Sequence, residues 1–549
     1  MESAPEKSSL QSFNETLKLD HHGLPLIPQP SDDPEDPLNW SRTQKYIIVC
    51  ISALIAFLGT FALGSSAPAY AQIGLALGVT ATQASYIGTI GIAAAGIRSF
   101  IWTPLSNVYG RRPILIFSQA IAIAAGFGAA FAKSYGTIIV GRFFTGLGSA
   151  SGHVVAFAVV SDVFCLHERG NMLGIVTFAL INGVPTQSHV AALPAGFIAQ
   201  DVGWRWTIKL PSILTAVCWV LIIVALPETL YIRGTGAPPV KSPSRYHRMR
   251  ITGTRAPGRT LQLVDFVRPF QMLKYFPVVT LGWFAAVAYT LGAQVLIPIL
   301  DHSSDSLALS LFSVMPSQTV SALFRTYYKW GSAHTGIALS VSTTIGGILG
   351  EIVSGPDIDK LMERSRKREG HVCPESRLHG MWPAIILLPT GLLMFGFSIT
   401  HHELTHSYIG VTVSMALTGA YFFFLPSHSS LPFVPFRGAN DQHTRHSLRA
   451  EGPISPPVSC VLMCQNTDCV DCYKPQSADV IQLLNFARQE MSFTVGFWSI
   501  QYGDKIGFKF SAVTYASVSV FFFLPVLWIM IYGERLRARL GEPGFNKEI

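Results

Sequence analysis

Four ionisable side chains stand in or at the ends of long apolar runs: Arg142, Asp162, Glu351 and Glu490. A charge at hydrocarbon depth is costly unless it meets a partner or a wet cavity, so such residues mark proton relays, ion paths or buried pairs. A carboxylate in that setting can take up and release a proton as its surroundings change. Glu351 follows the small-residue stretch Gly346-Gly347-Ile348-Leu349-Gly350, which permits close helix packing and leaves the carboxylate needing a partner. It is the first choice for a coupling group, with a structural salt bridge near the cytoplasmic surface as the alternative. Glu490, Asp162 at the inner end of its span, and Arg142 complete the proton-coupling candidates. For Arg142 the plainer role is snorkelling from near the outer end of its helix.

Polar residues inside otherwise apolar helices form a second set. His153, Asn182, Gln187, His189, Gln294, Asn485 and Arg488 are candidates for lining a substrate cavity, and interhelical hydrogen bonding is their plainer role. The rings of Trp283, Phe284, Tyr289, Phe497 and Trp498 fit a site for a flat apolar substrate, or a lipid-facing belt. Cys460, Cys464, Cys469 and Cys472 cluster without pairing into two CxxC knuckles, so no metal is expected there. With no metal-spaced His/Glu cluster and no nucleophile motif, neither an enzyme nor a cofactor is expected.

The elements that must position these residues are legible from apolar length. Hydrophobic residues make up 49% of the 549 positions and charged ones 13%, with a mean hydropathy of +0.37, a balance too apolar for a soluble chain of this size. The apolar residues lie in blocks of about 20, the length that crosses a hydrocarbon core of roughly 30 Å. Breaks at Gly, Pro and charge give six spans in the first half: 45–68, 83–105, 113–132, 136–160, 171–199 and 206–227. Six more follow at 275–300, 333–356, 381–399, 408–425, 478–500 and 510–532.

The net charge of +8 is gathered in loops, notably 233–274 and 360–377, and forms no basic stripe with interleaved aromatics. Nucleic acid is therefore not an expected partner. The positive-inside rule places both loops in the cytoplasm, and an even span count puts both termini there too. The first 44 residues are polar and proline-rich and carry no cleavable signal peptide, so the first span inserts as its own signal.

Several motifs share a pattern. Between the second and third spans lies Trp102-Thr103-Pro104-Leu105-Ser106-Asn107-Val108-Tyr109-Gly110-Arg111-Arg112-Pro113. Gly110 permits a tight turn, and Arg111 and Arg112 can bind carbonyls at helix ends and carboxylates across the boundary between the halves. An ordinary positive-inside loop also accounts for the Arg pair. The segment resembles the loop motif of the major facilitator family at Leu105, Gly110, Arg111 and Arg112, with Thr103 and Asn107 replacing that pattern's Gly and Asp. Gly355 and Asp359 repeat the Gly and Asp in the matching loop of the second half. Gly141-Arg142, with Gly146, Gly148 and Gly152, is similar to the family's fourth-span pattern. Resemblance to fungal drug:proton antiporter-like members extends to Pro28–Trp40, Glu168-Arg169-Gly170, Gly203–Trp206, Leu226–Leu230 and Asp471–Pro475. Gly183-Val184-Pro185 and Pro194-Ala195-Gly196 match the antiporter signature only loosely.

The resemblance implies an all-α integral membrane protein with about twelve transmembrane helices in two six-helix halves. The expected organisation is a cytoplasmic tail at 1–44, a first half at 45–227, a basic linker at 228–274, a second half at 275–532 and a cytoplasmic tail at 533–549. Residues 301–325 and 424–468 depart from the pattern as lineage-specific loops or retained intron sequence. The implied function is transport of a small molecule by alternating access, as a proton-coupled export of drugs or metabolites. A transporter-like nutrient sensor without net flux, or an uptake symporter, is the alternative. Protons, the substrate and the bilayer are the expected partners of a monomer, in the plasma membrane or else a vacuolar or other internal membrane.

Overall fold

A computed structural model describes residues 28–149, 151–165, 192–231 and 261–275 as continuous stretches, with short helical pieces and single positions elsewhere. The first half contributes α1 (Arg42–Gly64), α2 (Tyr70–Leu77), α3 (Ala81–Tyr109), α4 (Arg111–Phe131), α5 (Tyr135–Ser149), α6 (Gly152–Val163), α7 (Ala192–Asp201) and α8 (Trp206–Ala225). The linker contributes α9 (Leu263–Val267) and a 3-10 turn at Arg268–Lys274. Among the described residues there is no strand, and five stretches are long and apolar enough to cross a membrane: Arg42–Leu77, Gln83–Tyr109, Arg111–Phe131, Tyr135–Val163 and Trp206–Ala225. They match five of the six spans expected in the first half. Of the span at 171–199, α7 is the continuous part described. The total of twelve and most of the second half lie outside the described residues.

Local chemistry explains where these helices begin and end. Ser41 Oγ accepts the Gln44 N–H at 3.4 Å and starts α1. Pro68 has no N–H to offer the Gly64 carbonyl, so α1 stops, and a 3-10 turn at Ala67–Ala69 leads into α2. Thr80 and Gln83 form a reciprocal capping box at the head of α3, at 3.1 and 3.0 Å. The link expected at 106–112 between the second and third spans shrinks to one residue: α3 runs through Tyr109 and α4 starts at Arg111. Gly110 makes the whole turn at φ 103°, a region closed to residues with a Cβ. Of the expected span at 136–160, α5 and α6 are the described parts, and Tyr135–Val163 is a single stretch long enough to cross.

Burial separates the interior helices from the flanking ones. The most apolar windows of α1 with α2, and of α3, are 78% buried, against 44% for α4 and 33% for α8, so the last two supply the lipid-facing surface. α8 turns Val217, Val220 and Val224 outward on one face. At the Gly110 end the core joins Ile48 and Ile55 of α1, Leu115 of α4, Val155 and Val159 of α6, and Ile222 of α8. At the opposite end it joins Tyr70, Ile73, Ile87, Ile138 and Trp204. Where α3 crosses α5 the backbones nearly touch: a Cβ on Gly146 would sit 2.9 Å from Gly91 Cα.

Candidate functional site

At the Gly110 end four charged groups converge. Glu228 follows α8 and turns back to the head of α4. Its Oε1 accepts the Arg111 N–H at 2.9 Å and its Oε2 the Arg112 N–H at 3.3 Å. Those N–H groups have no partner inside α4, and a carboxylate at a helix N-terminus also meets the positive end of the dipole. Thr229 N–H and Leu230 N–H donate to the same Oε1 at 3.0 Å each. Burial pushes the Glu228 carboxyl upward from its ordinary value, while the N–H bonds from Leu230, Arg111 and Arg112 pull it the other way.

The Arg111 side chain points to α6. Its Nε donates to Asp162 Oδ2 at 3.1 Å, an ion pair, and its NH1 donates to Ser106 Oγ at 2.9 Å and to Asn107 Oδ1. Asn107, which stands where the motif has Asp, therefore still serves as an acceptor. Thr229 Oγ1 donates to Asp162 Oδ2 at 3.4 Å. Arg112 donates from NH2 to the Ile223 carbonyl near the end of α8, at 2.6 Å. The helix-end carbonyl is as expected. Among the described residues the carboxylates that the two arginines meet are Asp162 of α6 and Glu228, the first residue of the 228–274 segment, because the one-residue turn aims Arg111 at α6. Leu105 packs against the core at this end.

Arg142 sits within the bundle, 1% exposed. It donates from NH1 to Ala62 O at 2.8 Å, from NH2 to Leu63 O at 2.9 Å and Ser66 Oγ at 3.1 Å, and from Nε to Ile87 O at 3.4 Å. Ala62 and Leu63 are among the last carbonyls of α1, left without helical partners by the break before Pro68. The guanidinium supplies those partners and stands at the negative end of α1, which is why it points inward and does not snorkel. His153 is also buried, its Nε2 2.9 Å from where a Cβ on Gly59 of α1 would lie.

Residues from later in the chain touch this bundle at both ends. Glu490 Oε1 presses on Gly96 of α3, and Glu490 Cδ and Gln489 Cβ each lie 3.2 Å from where a Cβ on Gly96 would stand. Among the described residues no donor reaches that buried oxygen. One helical turn away, Phe100 of α3, Phe270 of the linker turn and Phe486 form a trio of rings. Phe100 stacks on Phe270 at 4.8 Å and meets Phe486 edge-on at 5.0 Å, with Phe270 and Phe486 5.8 Å apart. Asn485, a cavity candidate, is half-buried beside Phe486 in the chain. At the opposite end Gln72 Nε2 donates to Ser332 Oγ at 3.2 Å, and Ala333 N–H donates to Gln200 Oε1 at 3.2 Å.

Glu351, Gly355, Asp359, Asn182, His189, Gln294 and Arg488 lie outside the described residues. Two participants had no place among the expected site residues. Glu228 was visible only as part of a motif, since its partner is more than a hundred residues away. The other is the leader, read as part of a polar tail. Residues 31–41 fold against the bundle, with Asp36 capping the 3-10 turn Pro37–Asn39 and Trp40 buried. The pair Asp36-Pro37 was the available signal, an acidic cap followed by proline in the first turn.

A sequence model of the Major Facilitator Superfamily matches residues 49–440. Curated relatives include an MFS-type transporter, penM, from Penicillium rubens, 26% identical over 373 residues, covering 67% of this chain and 68% of that protein. Two relatives bear the name efflux pump. FUBT from Fusarium oxysporum is 25% identical over 380 residues, 67% of this chain and 58% of its own length. The radE protein from Floropilus chiversii is 24% identical over 379 residues, 68% of this chain and 65% of its own. Among solved structures, the human organic anion transporter MFSD10 superposes with a TM-score of 0.52 at 13% identity, covering 89% of this chain and 100% of that one. A peptide transporter, POT, in complex with sulfate gives 0.54 at 11% identity, covering 89% and 95%.

Proposed function

The chain belongs to the Major Facilitator Superfamily and is an integral membrane transporter, and from that premise we propose that it exports a small organic molecule against a proton gradient by alternating access. The names of its relatives, efflux pumps among them, support the direction. In this reading two six-helix halves rock about a central cavity, with the 228–274 linker and both termini in the cytoplasm and the protein in the plasma membrane.

The observation that carries the coupling is Glu490, a carboxylate of the second half pressed against a glycine of the first. An ionised carboxylate costs far more in such a contact than a protonated one. Proton binding at Glu490 therefore biases which arrangement of the halves is occupied, and substrate binding biases it in the other direction. Glu351 remains the alternative carboxylate.

The test is flux in vesicles holding purified protein under an imposed proton gradient, with a panel of drugs and metabolites. Glu490→Gln should bind substrate yet lose the response of flux to the gradient. Gradient-driven flux that survives in Glu490→Gln removes that residue from the coupling and moves attention to Glu351. Tags at Ser244 and Glu548 read the sidedness, and labelling of either from outside intact cells overturns the topology.

A further inference from the structure

The leader is fastened by a small set of polar contacts centred on Ser31. Asp36, fully buried, accepts the Ser31 N–H at 2.9 Å through Oδ2, the Ser31 hydroxyl at 3.0 Å through the same oxygen, and the Leu38 N–H at 3.0 Å through Oδ1. Asn39 Nδ2 donates to the carbonyls of Ser31 at 2.7 Å and Asp33 at 2.9 Å, closing the turn. Tyr231, just beyond α8, brings its hydroxyl to Asp33 Oδ2 and to Ser31 Oγ, at 3.2 Å each. Lys45 Nζ of α1 donates to the Leu38 carbonyl at 2.9 Å, while Leu38 and Trp40 are buried. The leader is thus a strap tied at one side to the base of α1 and at the other to the segment leaving α8.

That segment is also the hub of the charged network. Glu228 caps α4, Thr229 reaches Asp162, and Tyr231 holds the strap, all within four consecutive residues. Ser31 is followed by Asp32, Asp33, Glu35 and Asp36, an acidic run that suits a kinase with a basic peptide groove.

We propose that Ser31 is a phosphorylation site for an acidophilic, ATP-dependent serine kinase, and that phosphorylation releases the strap. The inference rests on the cytoplasmic placement of the leader in the preceding reading. In the step, Ser31 Oγ forms a bond to the γ-phosphorus of ATP as the bond to the β-phosphate oxygen breaks. ADP leaves, and the hydroxyl proton passes to the base of the kinase. The product adds about −1.5 to −2 charge and removes the O–H donor. It would place that charge against the buried Asp36 carboxylate and beside Asp33, where like charges repel and no solvent screens the first of them. The strap then leaves, Tyr231 loses its tether, and the 228–231 hub loosens.

The experiment uses the purified full-length protein in detergent, an acidophilic serine kinase and ATP, with peptide mapping by mass spectrometry and amide hydrogen exchange. Phosphate should appear at Ser31 and be absent there in Ser31→Ala, a variant that keeps the Ser31 backbone bond to Asp36. Exchange across 28–41 and 226–231 should accelerate by about tenfold or more on phosphorylation, while the unmodified Ser31→Ala protein stays protected. Modification confined to other residues, or phosphate at Ser31 with unchanged protection, overturns the proposal. Kinase acting on solubilised protein does not depend on sidedness. Labelling of a leader tag from outside intact cells would therefore count against the topology, and failure in detergent counts against Ser31 itself.

Discussion

The carboxylate of Glu228 caps the helix that Arg111 begins, accepting its N–H at 2.9 Å from a position 117 residues further along the chain. A cap supplied from so far away ties the foot of α8 to the head of α4, and its loss removes acceptors from four N–H groups at once. Glu228→Ala should lower the melting temperature of the purified protein, by about 1–3 kcal/mol in stability. Glu228→Gln keeps the oxygen that takes three of the bonds but turns an amide donor toward the Arg112 N–H, so its loss should be smaller. Equal melting of wild type and Glu228→Ala would contradict the cap.

The Arg111–Asp162 pair makes a thermodynamic cycle available. Arg111→Ala and Asp162→Asn should each reduce transport, and the double variant should be little worse than either alone, because both remove one contact. Additive losses would mean the two residues act separately.

Replacing both arginines tests the network as a whole. Arg111→Ala with Arg112→Ala should reduce flux more than it reduces folded protein in the membrane, since contacts at this end act on the balance between states. Parallel losses of folded yield and flux would leave the arginines with a topogenic role alone.

Phe270 offers a handle on how α3 meets the segment around Phe486. The ring trio must part if α3 and Phe486 separate on that side, so Phe270→Ala should favour the arrangement open there. Two ring contacts amount to about 1–3 kcal/mol, or a ~5- to 150-fold change in the equilibrium. Spin-label distances between α3 and the second half would read it. An unchanged distance distribution would show that the linker turn is only a spacer.

At Gly146 the outcome concerns folding. A Cβ there would run into the Gly91 backbone, which cannot rotate away as a side chain can. Gly146→Ala should cost about 1–3 kcal/mol or more and lower folded yield, whereas Gly136→Ala, with open space around its Cβ, should not. Normal melting of Gly146→Ala would show that α3 and α5 have room to part.

Apolar length and turn residues made the first-half spans legible because both are local properties of the chain. The Arg-Gly motifs drew attention to Gly110, Arg111, Arg112 and Arg142 for the same reason. Their partners were not legible. Asp162, Glu228, Ala62 and Leu63 are brought to these arginines by packing between distant segments, and nothing at Glu228 distinguishes a cap from a loop carboxylate. The docking of the leader was not legible because Asp36, Leu38 and Trp40 are buried in a segment of polar, proline-rich composition. Its anchor, Tyr231, lies two hundred residues on.

The near-contact of backbones at Gly91 and Gly146 bears on how such a chain can diverge. A crossing of that kind demands only that nothing be present beyond the α-carbon, and the outward face of α8 demands only that its side chains be greasy. Neither requirement names a particular residue. Large parts of the helical surface are therefore free to drift, and the positions needing a specific side chain shrink to a few buried charges and caps. A fold specified so sparingly can persist at 11% to 13% identity to known structures. In chains of this kind, ancestry is better sought in the placing of glycines and isolated charges than in overall identity.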